Sequence, residues 1–557
     1  MRPHKNNLKK RRERAVRNTP DAPSTGFLSR SGSRILSLNV LLVASEAVPL
    51  AKTGGLGDMV SAYAAALREA GVDATILMPA YPEAIAAAVG LHEVCALPGL
   101  PGGDAALLRG RMPDTGVPLL LVRSDALYAR AGLYQDEQGR DYTDNAVRFA
   151  ALSAAAVRIA QGIHGVKTPD IVHAHDWHSG LTPLLMKRAG VKAKSVYTIH
   201  NLAFQGNYSL ALGPSLGVPA EWLVPALTNP ESIEFYGALS LMKAGIVHAD
   251  RVTTVSETYA REILTPHFGH LMEGVLQSCA DKLTGVINGI DEKTWNPATD
   301  PLIARHYSFD DMRGKHACKR ALQQMFGLPA DPFAPLIAIG SRMTGQKLAD
   351  VVVEAIPALL ERHPRLQIAV IGKGEAYIEA GFRRLALDWP DRVGVRIGYD
   401  ERRAHALHAG ADILLHGSRF EPCGLTQIYA MRYGTVPVAS RVGGLADTIV
   451  DHTFHQNDAP TGFLFDGETV HDVIAGATRA IDAFMRPQQW RTLQRSAMSR
   501  GYGWGQAVAR FVDLYTGLSD ARPAKSALGT TRRVVETVQP AFVEEAAAEA
   551  PRVARSA

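Results

Sequence analysis

The chain has 557 residues, 46% of them apolar and 21% charged, which is too long for one ordinary domain and predicts two to four with sizeable cores. It holds no purely apolar run of about 18 residues, so no membrane span is expected. Its four cysteines (Cys95, Cys279, Cys318, Cys423) form no CxxC pair, which argues against a disulfide framework or a zinc site and fits a reducing cytosol.

The net charge of +5 belongs to the ends. Residues 1–34 carry ten Lys or Arg against two acids, and 520–557 carry six against five, which leaves the body between them at −4. The cluster Lys9-Lys10-Arg11-Arg12-Glu13-Arg14 has the composition of a nucleic-acid or anionic-polymer contact. A disordered extension over 1–36 is expected, with a transit peptide as the weaker alternative and no apolar region for a secretory signal. No nucleic-acid or membrane partner is expected.

Residues 37–45 (SLNVLLVAS) form a near-continuous apolar run, the pattern of a buried parallel strand. Lys52-Thr53-Gly54-Gly55-Leu56-Gly57-Asp58 follows, then an Ala-rich helix over 59–70. Strand, Gly-rich turn and helix make an anion cradle, although a tight turn without ligand has the same pattern. Strands are predicted at 72–78, 118–123, 171–174 and 195–199, with a helix over 144–161. The third of these strands ends in His175-Asp176-Trp177-His178 and the fourth in His200-Asn201-Leu202. Polar groups at such strand ends lie where open α/β sheets bind ligands. Residues 233–249 read as a helix carrying Lys243, 251–255 and 283–287 as strands, and the turn at Asn288-Gly289 as the close of the first half.

The pattern restarts at 336–340, which ends in Ser341-Arg342-Met343-Thr344-Gly345-Gln346-Lys347. A helix over 349–362 and strands at 367–371, 393–397, 411–415 and 435–439 follow. The strand at 411–415 leads into Gly417-Ser418-Arg419-Phe420-Glu421-Pro422-Cys423-Gly424-Leu425-Thr426-Gln427. This is a strand-to-helix turn whose helix start suits a phosphate and whose Glu421 is placed to accept hydrogen bonds from sugar hydroxyls. Residues 488–518 read as a closing helix. The Ala/Glu/Pro/Arg-rich tail 520–557 lacks the apolar residues to pack.

Taken together, the stretches at 52–58, HDWHSGL (175–181), IHNLAFQG (199–206), NGID…WNP (288–297), SRMTGQK (341–347), SRFEPCGLTQIYAMRYGTVPV (418–438) and GGLADT (443–448) resemble the bacterial glycogen synthases, kin of plant starch synthases. The resemblance covers residues 38–518. It implies a GT-B fold, two Rossmann-like doubly wound α/β domains facing a cleft, and a retaining glucosyltransferase that elongates an α-1,4-glucan from ADP-glucose without a metal or other cofactor. By matching position, Lys52 with the Gly54 and Gly55 backbone meets the donor diphosphate from the first half. Arg342 and Lys347 meet it from the second, with the helix start at Gly424, Leu425 and Thr426. Tyr399 stacks the adenine, Glu421 holds the transferred glucose, and His200, Asn201 and Asp176 stand near that glucose. Cys423 has no base three or four residues away to activate it and is read as packing or sugar contact. Three positions depart from the family pattern: Met343 for Leu, Leu348 for Gly, and His416-Gly417 for Met-Pro.

The expected organisation is an extension (1–36), an acceptor-side catalytic domain (37–300), a linker (301–334), a nucleotide-sugar domain (335–500), a closing helix (501–519) and a tail (520–557). Rival readings are a UDP-glucose-dependent relative, a pyridoxal-dependent glucan phosphorylase and a non-catalytic glucan binder. The last predicts loss of Lys52, Arg342, Lys347 or Glu421, and all four are present. A nicotinamide dehydrogenase is disfavoured because the first turn lacks GxGxxG.

Overall fold

A computed structural model describes residues 38–520, except 226 and 454–458. The segments 1–36 and 521–557 lie outside the described residues. The first half contains β1 (Asn39–Val43), β2 (Asp73–Pro79), β3 (Val89–Leu100), β4 (Gly103–Arg111), β5 (Pro118–Arg123), β6 (Ile171–His175) and β7 (Lys194–Ile199). A small antiparallel sheet of β8 (Asn207–Ser209), β9 (Glu234–Phe235) and β10 (Ala238–Ser240) precedes β11 (Arg251–Thr254) and β12 (Leu283–Gly285). The large sheet runs β12-β11-β7-β6-β1-β2-β5-β4-β3.

β1 lies at its centre, with Val40 paired to Ala74 on one side and Ile171 on the other. Helices cover both faces of such a strand, so it must be apolar on both. The chain winds outward from β1 through β2 and β5, then returns to start the other way at β6. Ligand crevices of doubly wound sheets open where the order reverses. Here that point lies above the ends of β1 and β6.

The second half repeats the plan with β13 (Leu336–Gly340), β14 (Gln367–Gly372), β15 (Val393–Ile397), β16 (Ile413–His416), β17 (Val436–Ser440) and β18 (Phe463–Phe465). Its parallel sheet runs β15-β14-β13-β16-β17-β18. The reversal falls between β13 and β16, the strands that lead into the Arg342–Lys347 and Ser418–Glu421 turns.

Four segments differ from the sequence expectation. β3 and β4 form an antiparallel hairpin on the sheet edge, where half-exposed strands give no continuous apolar run. Residues 233–249 are the β9–β10 hairpin followed by a shorter helix, Leu241–His248. The closing helix is two, Pro487–Ser499 and Gly505–Asp520. Within the expected linker, Arg313–Met325 is a helix. Its buried Leu322 packs in one cluster with Phe326, Ala338 and Leu407 of the second half.

The chain crosses between halves twice, and the crossings touch. The Ile290 N–H donates to the Tyr502 carbonyl at 2.8 Å, and a Cβ on Gly289 would stand 2.7 Å from the Trp504 nitrogen. After the second crossing, Trp504, Phe511 and Tyr515 bury themselves in the first half's core. The Tyr515 hydroxyl meets that of Tyr63 at 2.7 Å and His173 Nδ1 at 2.6 Å. Among the described residues, no helix is long and apolar enough to cross a membrane.

Candidate active site

The turn after β1 is organised by Glu46. This carboxylate is buried and accepts from the Thr53 N–H and hydroxyl at 2.7 Å each, from the Gly54 N–H at 3.2 Å and from the Tyr134 hydroxyl at 2.5 Å. A buried carboxylate needs such donors. Gly54, expected from the sequence to meet the donor diphosphate together with Gly55, here donates its N–H to Glu46. Gly55 opens the helix Gly55–Glu69 and presents that N-terminus to the second half, where Leu425 Cδ1 lies 3.8 Å from the position of a Gly55 Cβ. Lys52 pairs with Asp58 at 2.8 Å, and its ammonium stands 5.8 Å from the centre of the Tyr399 ring.

Beyond β6, Asp176 adopts φ 56°, a conformation that costs a non-glycine residue about 1–3 kcal/mol and persists where surroundings enforce it. Its Oδ1 accepts the N–H groups of His200 (2.7 Å) and Asn201 (3.4 Å) beyond β7. Burial pushes the Asp176 carboxyl up to about 7, against the pull of those two N–H groups. His175 Nδ1 and His200 Nε2 are 3.1 Å apart. Burial lowers His200 to about 3 and holds His175 well below the usual imidazole range, so both are neutral and one donates to the other. The three expected residues Asp176, His200 and Asn201 thus form one cluster.

Across the cleft, the turn after β13 carries Arg342 and Lys347. Arg342 is exposed and donates to Gln346 Oε1 at 2.8 Å. Gln346 in turn accepts the Arg419 N–H on its carbonyl at 2.8 Å and donates to the Phe420 carbonyl at 3.3 Å, tying the two loops of the reversal point together. Lys347 forms a buried ion pair with Glu421 Oε2. Ser418 Oγ (2.8 Å) and His416 Nε2 (3.1 Å) donate to that same oxygen. Burial opposes ionisation of Glu421, but the Lys347 ammonium and the His416 bond outweigh it and hold the carboxyl well below its usual range. Cys423 is buried and pushed up to about 12 by desolvation, so it is an inert thiol. Gly424 takes φ 69° to turn the chain into the helix Thr426–Arg432, whose preceding residue is Leu425.

Tyr399 is 70% exposed, with its hydroxyl bonded to Glu401 at 2.6 Å. Glu401 stands 3.7 Å from His405. Sequence reasoning assigned no role to Glu46, Glu401, His405, His416 or Ser418. Ser418 lies inside a quoted motif and His416 among the departures, so both were visible as letters. Their bonds join segments far apart in the chain.

The halves meet around these groups. Thr258 donates its N–H and hydroxyl to Asp447 at 2.8 and 2.5 Å. Glu262 accepts the Gly443 N–H at 2.9 Å. The His270 and Phe420 rings are in edge contact at 4.9 Å. Tyr259 feels the charges of Asp176 and Glu421, which places both clusters within electrostatic reach of one side chain. Cations, helix N-termini, an anchored carboxylate and an exposed aromatic ring therefore line one two-sided cleft. Among the described residues, no group of three or more His, Cys, Asp or Glu is placed to hold a metal.

Known proteins agree with this plan. Residues 39–278 match the starch synthase catalytic domain and residues 324–492 the glycosyl transferases group 1 domain. The starch synthase IV catalytic domain of Arabidopsis thaliana, solved bound to ADP and acarbose, superposes with a TM-score of 0.77 at 28% identity, over 87% of this chain and 99% of that one. A sucrose-phosphate synthase from Thermosynechococcus elongatus, 16% identical with a TM-score of 0.54, covers 87% of this chain and 100% of its own and shares the fold. Glycogen synthases from Ralstonia nicotianae and Bordetella petrii are 52% and 50% identical over 87% and 86% of this chain, and over 89% and 92% of their own. The chain has the GT-B fold, belongs to the bacterial glycogen synthase family and is a glucosyltransferase of glycogen biosynthesis.

Proposed function

We propose that the enzyme transfers glucose from ADP-glucose to the non-reducing end of an α-1,4-glucan with retention of anomeric configuration. The observation that carries the donor assignment is Tyr399, an exposed ring at the mouth of the cleft. Its hydroxyl is fixed by Glu401 and its face lies near the Lys52 ammonium. A ring held this way offers a flat surface to a purine, beside a cation for the diphosphate.

Breaking the anomeric carbon–oxygen bond builds negative charge on the leaving diphosphate. Lys52 acts from the first half and Arg342 and Lys347 from the second, together with the helix starts at Gly55 and at Gly424, Leu425 and Thr426. These groups stabilise that charge with fixed dipoles and cations. Glu421 binds hydroxyls of the transferred glucose. Asp176, His200 and Asn201 line its other side. The acceptor hydroxyl attacks the same face and passes its proton to the departing phosphate oxygen. No metal or other cofactor has a part in this reading, and a cytoplasmic location belongs to it.

The test is turnover with radiolabelled ADP-glucose against UDP-glucose, with glycogen as acceptor. ADP-glucose is expected to be strongly preferred and activity to persist in EDTA. Preference for UDP-glucose overturns the donor assignment, and abolition by EDTA overturns the metal-free mechanism.

A further inference from the structure

We propose that His416 is a positioning residue for glucosyl transfer: it anchors Glu421 independently of Lys347, so that the lysine is free to serve the donor diphosphate. This rests on the reading of Glu421 as the sugar-holding acid.

Three donors converge on Glu421 Oε2: the Lys347 ammonium, the Ser418 hydroxyl at 2.8 Å and the His416 imidazole at 3.1 Å. Among the described residues, none donates to Oε1. One oxygen is therefore saturated and the other is left to accept sugar hydroxyls. His416 ends β16, where it pairs with Ala439 of β17, and its side chain is 2% exposed. Burial keeps the ring neutral. Facing a carboxylate, the neutral ring must carry its proton on Nε2, so it is a donor of fixed direction on a rigid strand.

The packing around it fixes the distance to Lys347. Leu348 is fully buried with φ 49°, and a Cβ on Gly417 would stand 3.0 Å from the Leu348 Cβ. The residues after His416 and after Lys347 thus pack closely against each other, and a Cβ at 417 would press on Leu348. Lys347 has two claims on it, since the carboxylate holds it here and the diphosphate requires it during transfer. A carboxylate held by the lysine alone would follow the ammonium. With His416 and Ser418 as neutral anchors, Glu421 keeps its orientation while the ammonium shifts partners.

The test compares His416→Leu with His416→Gln, whose amide N–H reaches the same oxygen. For His416→Leu, kcat is expected to fall about 10-fold, the loss of one hydrogen bond to a charged group. The affinity for ADP, which lacks the glucose that Glu421 holds, should remain unchanged. His416→Gln should restore most of the loss. Should the leucine variant not fold, His416→Asn, too short to reach Oε2, takes its place against Gln. A normal kcat without the donor, or Gln failing as badly as Leu while ADP still binds, overturns the proposal. Glu421→Ala separates the two readings. Near-normal turnover there removes the role of Glu421 itself, whereas an inactive Glu421→Ala beside a fully active His416→Leu removes only that of His416.

Discussion

His405 is buried and stacks on Trp295 with ring centres 4.0 Å apart. Its Nδ1 donates to Asp300 at 2.7 Å. Asp300 also accepts the Tyr433 hydroxyl at 2.5 Å. Burial alone would lower the imidazole, but Asp300 and, at 3.7 Å, Glu401 outweigh it and raise its pKa to about 9. A folded-state value above the unfolded 6.5 means that the charged ring stabilises the fold. That contribution is complete below pH 6.5 and is lost as pH rises through about 9. The melting temperature of the native enzyme should therefore fall between pH 7 and 9.5, and that of His405→Gln should fall less. Parallel curves would show that His405 is not the group responsible. The same charge reaches the site, because Glu401, held near 2 chiefly by His405, anchors the Tyr399 hydroxyl.

At the scale of elements, the turn at 52–57 owes its shape to a residue in the segment before it. Glu46 closes four hydrogen bonds onto Thr53, Gly54 and Tyr134, so Glu46→Ala leaves two turn N–H groups unpaired. The donor KM is expected to rise about 10-fold, consistent with one to two lost hydrogen bonds. A donor titration at saturating glycogen checks this, and an unchanged KM would mean that the turn holds itself. The strands leading into this turn and into the 417–427 turn were legible because a parallel strand buried on both faces is apolar throughout, as Leu41, Leu42 and Val43 are. The β9–β10 hairpin was not. Its turn is Tyr236-Gly237, with φ of 49° and 84°, and a tyrosine at positive φ carries none of the usual Asn-Gly signal. The residues that the structure brings to the cleft were legible where a charge or a bare backbone sits in a quoted motif, as at Lys52, Gly55, Lys347 and Glu421. The anchors Glu46, Glu401 and His416 were not, because their roles depend on which distant side chain meets them.

At the scale of the molecule, the proposed function draws donor-side groups from both halves, and on that reading transfer requires the halves to close. Thr258–Asp447 and Glu262–Gly443 are direct ties between them. Asp447→Ala removes the acceptor of two bonds from Thr258. It is expected to lower kcat/KM about 10-fold by favouring the open state, with a larger radius of gyration in solution scattering. Native kinetics and scattering would show the tie to be dispensable. The helix Gly505–Asp520 has a different consequence. It completes the first half's core, yet it is encoded after the whole second half. As the chain leaves the ribosome, Tyr63 and His173 emerge early and must wait, uncovered, for Phe511 and Tyr515. The half that is synthesised first is thus the last to finish folding, and its exposed face is open to chaperones for as long as the rest of the molecule is being made.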